Sequence, residues 1–66
     1  MNVKVNRTHI EIFEGALAKH AILQYLSRRK IKPSRLTECQ VFDSHGHVIG
    51  LDAPLTEGQT IKLKLL

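Results

Sequence analysis

Thr60-Ile61-Lys62-Leu63-Lys64-Leu65 alternates apolar and cationic side chains over its last five residues. A period of two is the signature of a strand with one buried and one wet face. Ile61, Leu63 and Leu65 are thereby assigned to a core, and Lys62 and Lys64 to the opposite side. The start of the chain carries the same signal, with Met1, Val3 and Val5 alternating with Asn2 and Lys4. Both segments have one strongly apolar face. This predicts that the last strand lies centrally, beside the first.

Between these two segments the pattern changes in an ordered way. Asn6-Arg7-Thr8 reads as a short turn, because Asn tolerates a positive φ. His9 to Phe13 alternates again, with Ile10 and Ile12 on one side and Glu11 on the other, so the first two runs predict a β-hairpin. After Gly15 the period becomes helical. Leu17, Ala18, Ala21, Ile22, Tyr25 and Leu26 fall within one half of a helical wheel, which predicts an amphipathic helix from about Ala16 to about Arg29. Glu14 and Gly15 offer it only a weak cap. Arg28, Arg29 and Lys30 suit the negative end of its dipole, and Pro33 stops it.

Ile31 to Thr37 reads as a basic connector, and Glu38 to Asp43 as a strand with Cys39 and Val41 facing inward. Asp43 to His47 is a turn around Gly46, Val48-Ile49 a short strand, and Leu51 to Gly58 a loop. The predicted core joins the helix stripe to Val3, Val5, Ile10, Ile12, Val41, Ile61 and Leu63.

Sixty-six residues give one expected domain, 1–66, and a hydrophobic content of 42% suits a packed core. The aromatics are Phe13, Tyr25 and Phe42, so that core must be aliphatic. A single cysteine, Cys39, excludes an internal disulfide and any cysteine-only metal site. The net charge of +4 favours anionic partners. No apolar run approaches the roughly 20 residues that span a bilayer. The N-terminus lacks a charged-then-apolar leader. A cytoplasmic protein without membrane contact is therefore expected.

Two strands, a helix, two strands and a closing strand predict an α+β roll: a mixed four- to five-stranded sheet with one helix across one face, in ββαββ(β) order. This arrangement resembles the β-grasp, or ubiquitin-like, fold. Within it the chain is most similar to the ThiS/MoaD-like sulfur carriers and the TGS domain. The resemblance rests on Val3-Lys4-Val5-Asn6, Ile10-Glu11-Ile12 before Gly15, the helix Ala21-Ile22-Leu23-Gln24-Tyr25-Leu26, and Leu55-Thr56-Glu57-Gly58-Gln59-Thr60-Ile61. It implies a small domain that binds other macromolecules. The sulfur carriers act through a free Gly-Gly tail, whereas this sequence reads Lys64-Leu65-Leu66 after the last strand. Carrier chemistry is expected only if the natural chain extends to such a tail. Arg7 stands where the family usually has glycine in the first turn, which predicts a more open turn.

Two surfaces carry the candidate binding residues. Arg28, Arg29, Lys30, Lys32 and Arg35 hold half of the ten Lys and Arg. They read either as a solvated helix end or as an anion patch for RNA, phosphate or an acidic protein. Lys4, Lys62 and Lys64 lie on the outer sheet face, and Phe42, with Phe13, is expected to share it. That face reads either as charge that blunts strand pairing or as a surface for an acidic protein or single-stranded RNA.

No residue set indicates catalysis. His45 and His47 supply at most two metal ligands, with Asp43 or Asp52 as conceivable additions, and polar turn residues are the simpler reading. Cys39 reads as a buried structural cysteine. Gly46 and Gly50 do not open a helix, as a dinucleotide loop requires. The sequence predicts a non-catalytic binding or adaptor module with no cofactor, no metal and no small-molecule substrate. A protein partner is expected, with a TGS-like RNA- or ribosome-associated role as the alternative.

Overall fold

The computed structural model describes residues 1–65. Strands β1 (Asn2–Val5) and β2 (Thr8–Glu11) form an antiparallel hairpin, in which Val5 pairs with Thr8. Helix α1 (Ala18–Arg28) follows, then a 3-10 helix (Pro33–Glu38) and strands β3 (Cys39–Phe42), β4 (Val48–Ile49) and β5 (Thr60–Leu65). The sheet is mixed and five-stranded, in the order β2-β1-β5-β3-β4. β5 is central, parallel to β1 and antiparallel to β3. The architecture is α+β, with the helix covering one face of the sheet.

The core is aliphatic, as three aromatics dictate. Val5, Ile10, Ala16, Ala18, Ala21, Ile22, Leu26 and Ile61 are fully buried, and Tyr25 is the one aromatic among the buried residues. At about 25 cal/mol per Å² of apolar surface, each large side chain here contributes about 1.5–3 kcal/mol. Leu63 packs against the core as predicted but is only partly buried. β1 ends beside Ile61, so Leu63 has no strand neighbour on that side. Its N–H instead donates to Asn6 Oδ1 at 2.9 Å.

The first turn is tight rather than open. Only Asn6 and Arg7 separate the paired Val5 and Thr8. Asn6 takes the left-handed conformation, with φ 57°. Arg7 does not, so it needs no glycine. Asn6 also acts as a node. Its N–H donates to Ile61 O at 2.8 Å, its Oδ1 accepts from Leu63 N, and its Nδ2 donates to Tyr25 Oη at 3.2 Å. One side chain thus ties the hairpin to β5 and to α1.

The helix is shorter than the periodicity predicts, because Leu17 is extended and is the N-cap. Leucine has no side-chain acceptor, so other groups cap the end. His20 Nδ1 accepts the Leu17 N–H at 2.9 Å. The loop before β5 supplies the rest: Ala18 N donates to Ala53 O at 2.8 Å and Lys19 N to Leu51 O at 2.9 Å. Leu55 N returns a bond to Ala16 O. These contacts satisfy amides that an α-helix leaves unpaired at its start.

The other end closes with a Schellman motif. Ile31 N donates to Leu26 O at 2.9 Å and Lys30 N to Ser27 O at 3.1 Å. Lys30 occupies the left-handed position, with φ 57°, where glycine is usual. The connector is partly helical, with Pro33 opening the 3-10 helix as a residue that needs no N–H partner.

Candidate functional site

Alternation along each strand divides the sheet into a covered face and an open one. Val3, Val5, Ile10, Val41 and Ile61 are buried beneath the helix. Their neighbours, Asn2, Lys4, His9, Gln40, Lys62 and Lys64, are exposed on the opposite side. Register then fixes which side chains meet. Phe42 lies opposite Lys62, and Gln40 opposite Lys64. Val48 lies opposite Phe42 on the other flank. Lys4 lies beside Thr60, one strand across and two residues along from Lys62.

Lys62 is therefore the centre of this face. Side chains two apart on one strand are about 7 Å apart, and diagonal neighbours on paired strands about 7–8 Å. Lys62 stands at these separations from Lys64 and Lys4. Among the described residues none of the three lysines makes an ion pair; the pairs present are Lys19–Asp52, Arg35–Glu38 and His47–Asp43. Phe42 is half-buried, and Val48 is 63% exposed. Together they form an apolar spot beside the lysines. The sequence reading omits Val48 from the site, although a two-residue strand after the Gly46 turn already sets it against Phe42.

Phe13 does not share this face. Its ring packs on His20 of α1 with centroids 5.1 Å apart, which places it on the helix side. β2 ends at Glu11, so the strand alternation does not carry through to Phe13.

The connector residues separate from the lysine face and from one another. Arg28 Nη1 donates to His9 O at 2.8 Å. Val3 and Val5 pair with β2 through Ile10 and Thr8, so the His9 carbonyl points outward from the edge of the sheet, and Arg28 covers it. Arg29 lies over the Tyr25 ring, 5.6 Å from its centroid. Arg35 is paired with Glu38 at 3.3 Å. Lys30 and Lys32 are exposed. Three of the five cations thus have structural contacts of their own, and Arg28 alone reaches the strand that borders the lysine face.

The Asp43–His47 turn is organised by its carboxylate. Asp43 Oδ1 accepts the N–H groups of His45 at 2.8 Å and His47 at 2.9 Å. The His47 amide, above all, holds the Asp43 carboxyl below its ordinary pKa, with the His45 amide adding to the effect. The His45 and His47 rings stand 6.3 Å apart. Among the described residues no three His, Cys, Asp or Glu side chains are grouped to hold a metal.

Cys39, the first residue of β3 and the partner of Leu65, is partly rather than fully buried. Its thiol donates to Arg35 O at 3.1 Å, and burial pushes its pKa up, against the opposing effect of Arg35. A raised pKa makes the nucleophilic thiolate scarcer.

A shallow depression of ≈ 80 Å³ lies between Asn2, Val3, Lys4, His9 and Gly58. A pocket for a drug-sized molecule needs roughly 300 Å³ or more. Among the described residues no helix is long and apolar enough to cross a membrane. No protein-family model matches the chain, and no curated protein is significantly similar to it.

Proposed function

We propose that this chain is a non-catalytic binding module of the β-grasp, ubiquitin-like type, which holds a partner protein on the open face of its sheet. One observation carries the reading: Lys4, Lys62 and Lys64 share a single face beside the apolar Phe42 and Val48, and among the described residues none of the three makes an ion pair. Isolated solubilising charge needs no apolar neighbour. A protein interface uses an apolar spot for affinity and surrounding charge for orientation and encounter rate. The mixed sheet with its central β5 and single covering helix supports the β-grasp assignment. The lone cysteine suits a reducing, cytoplasmic setting.

The test compares two charge-reversed proteins. One carries Lys4→Glu, Lys62→Glu and Lys64→Glu; the other carries Arg29→Glu, Lys30→Glu and Lys32→Glu. A protein that copurifies with the parent chain is expected to be lost from the first and retained by the second. Equal retention by both would remove the sheet face from the reading.

A second reading, a TGS-like RNA- or ribosome-associated module, draws on the exposed Arg29, Lys30 and Lys32. It predicts salt-dependent amide shifts at those residues on adding RNA. The sulfur-carrier role applies only to a chain that runs on to Gly-Gly, which the reading frame of the gene decides.

A further inference from the structure

The open face has a direction as well as a charge. Val48, Phe42 and Lys62 form one row across β4, β3 and β5. Strands lie about 4.8 Å apart, so the apolar pair is centred roughly 7 Å from Lys62. From Lys62 the next unpaired cation toward β1 is Lys4, at the diagonal spacing of about 7–8 Å. An extended chain presents residues i, i+2 and i+4 on one side at steps of about 7 Å. The two spacings coincide.

The charge on this path is of one sign. Lys62 and Lys4 have no carboxylate partner among the described residues. At the β1 end Glu11 is opposite Asn2, and Glu57 accepts the Asn2 N–H. At the other end Asp43, which follows Phe42, has its carboxylate engaged by the His45 and His47 amides. A cationic path that begins at an apolar spot and stops before an acidic corner selects an occupant by composition and by orientation. Base stacking is disfavoured, because Phe42 is half-buried between Val48 and Lys62, and Phe13 faces the helix.

We propose that the face takes an extended acidic segment of a partner protein, with an apolar side chain at position i seated on Phe42 and Val48. Carboxylates at i+2 and i+4 then pair with Lys62 and Lys4. This inference rests on the binding-module reading and adds the chemistry and polarity of the partner. Lys64 lies to one side of the path and adds long-range attraction. In the reverse orientation the apolar side chain would lie on Lys4 and the i+4 carboxylate over Phe42 and Val48, so only the i+2 carboxylate would meet a lysine, Lys62.

The experiment uses the full chain and three probes: a capped peptide Leu-Ser-Asp-Ser-Asp, the same peptide with Leu replaced by Ser, and a single-stranded oligothymidylate. Amide shifts on adding the leucine peptide are expected at Phe42, Val48, Lys62 and Lys4. The Leu-to-Ser peptide should bind at least about threefold more weakly, since one apolar anchor is lost. Val48→Ser should weaken the leucine peptide by a similar factor. Lys62→Glu should weaken both peptides about tenfold, by replacing attraction with repulsion. Both positions are exposed, so unchanged thermal unfolding verifies that the variants are folded. Equal binding of the two peptides on this face overturns the anchored segment and leaves the binding-module reading standing. Shifts confined to Arg28–Arg35 overturn both. No shift from the leucine peptide, or tighter binding of the oligothymidylate to the face, overturns the proposal.

Discussion

Asn6→Ala tests how the two ends of this fold are tied together. The substitution removes the acceptor of the Leu63 N–H at 2.9 Å and the donor to Tyr25 Oη at 3.2 Å. It also places an alanine at φ 57°. The Leu63 bond is exposed, so water replaces part of it, and its loss costs about 0.5–1 kcal/mol. The partly buried Tyr25 bond contributes about 0.5 kcal/mol. Alanine is less tolerant of the left-handed region than asparagine, by about 0.5–1 kcal/mol. Together these effects total about 2 kcal/mol. At 4–8 °C per kcal/mol for a domain of this size, Tm should fall by about 8–16 °C.

Urea unfolding followed by circular dichroism reads the loss directly. Asn6→Gly separates its parts, since glycine keeps the backbone conformation and discards the side-chain bonds. Asn6→Gly should therefore lose only about 1 kcal/mol. A double-mutant cycle with Tyr25→Phe isolates the hydroxyl bond and should return a coupling of about 0.5 kcal/mol. A loss below about 0.5 kcal/mol in Asn6→Ala would refute the node. So would an Asn6→Gly protein that is less stable than Asn6→Ala.

Three further outcomes follow from the structure. Ile61→Asp should unfold the domain, because Ile61 is fully buried in the central strand and an unpaired charge there costs more than about 4 kcal/mol; a folded circular dichroism spectrum would refute the register of β5. Lys30→Gly should stabilise the protein by about 0.5–1 kcal/mol in urea unfolding, by relieving the left-handed lysine of the Schellman motif. Asp43 has a lowered pKa in the folded state, so its carboxylate stabilises the fold above its ordinary pKa, and that stability is lost as pH falls through the folded value. The stability gap between the parent and Asp43→Asn should therefore be open at neutral pH and close below a pH of about 4. A gap that persists in acid would show that the carboxylate charge is not what organises the turn.

The strands and the helix are legible because their signals are local. Ile61-Lys62-Leu63-Lys64-Leu65 is a period-two pattern that needs only its own residues to be read, and so is Met1 to Val5. The helix stripe from Leu17 to Leu26 is legible for the same reason. The 3-10 helix at Pro33–Glu38 is not, since six residues are too few to establish a period. The lysines of the open face follow from alternation alone. Their relation to Phe42 and Val48 follows from cross-strand register, which depends on how β3 and β4 slide against β5.

By itself the sequence determines which side chains are apolar, how often they recur and where the chain must turn. Those properties specify the elements, the two faces of each strand and the aliphatic core. Only the tertiary structure decides what long-range partners supply. The helix start is capped by carbonyls of Leu51 and Ala53, more than thirty residues away, because neither Glu14 nor Gly15 stands at the cap. Asn6 reads as a turn residue, yet it bonds Leu63 and Tyr25 only once β5 and α1 arrive beside it. Arg28 and Arg35 read as parts of one basic patch, but one covers a strand edge and the other meets Glu38. Charge is a property of a residue, and whether that charge is free for a partner depends on what the fold places next to it.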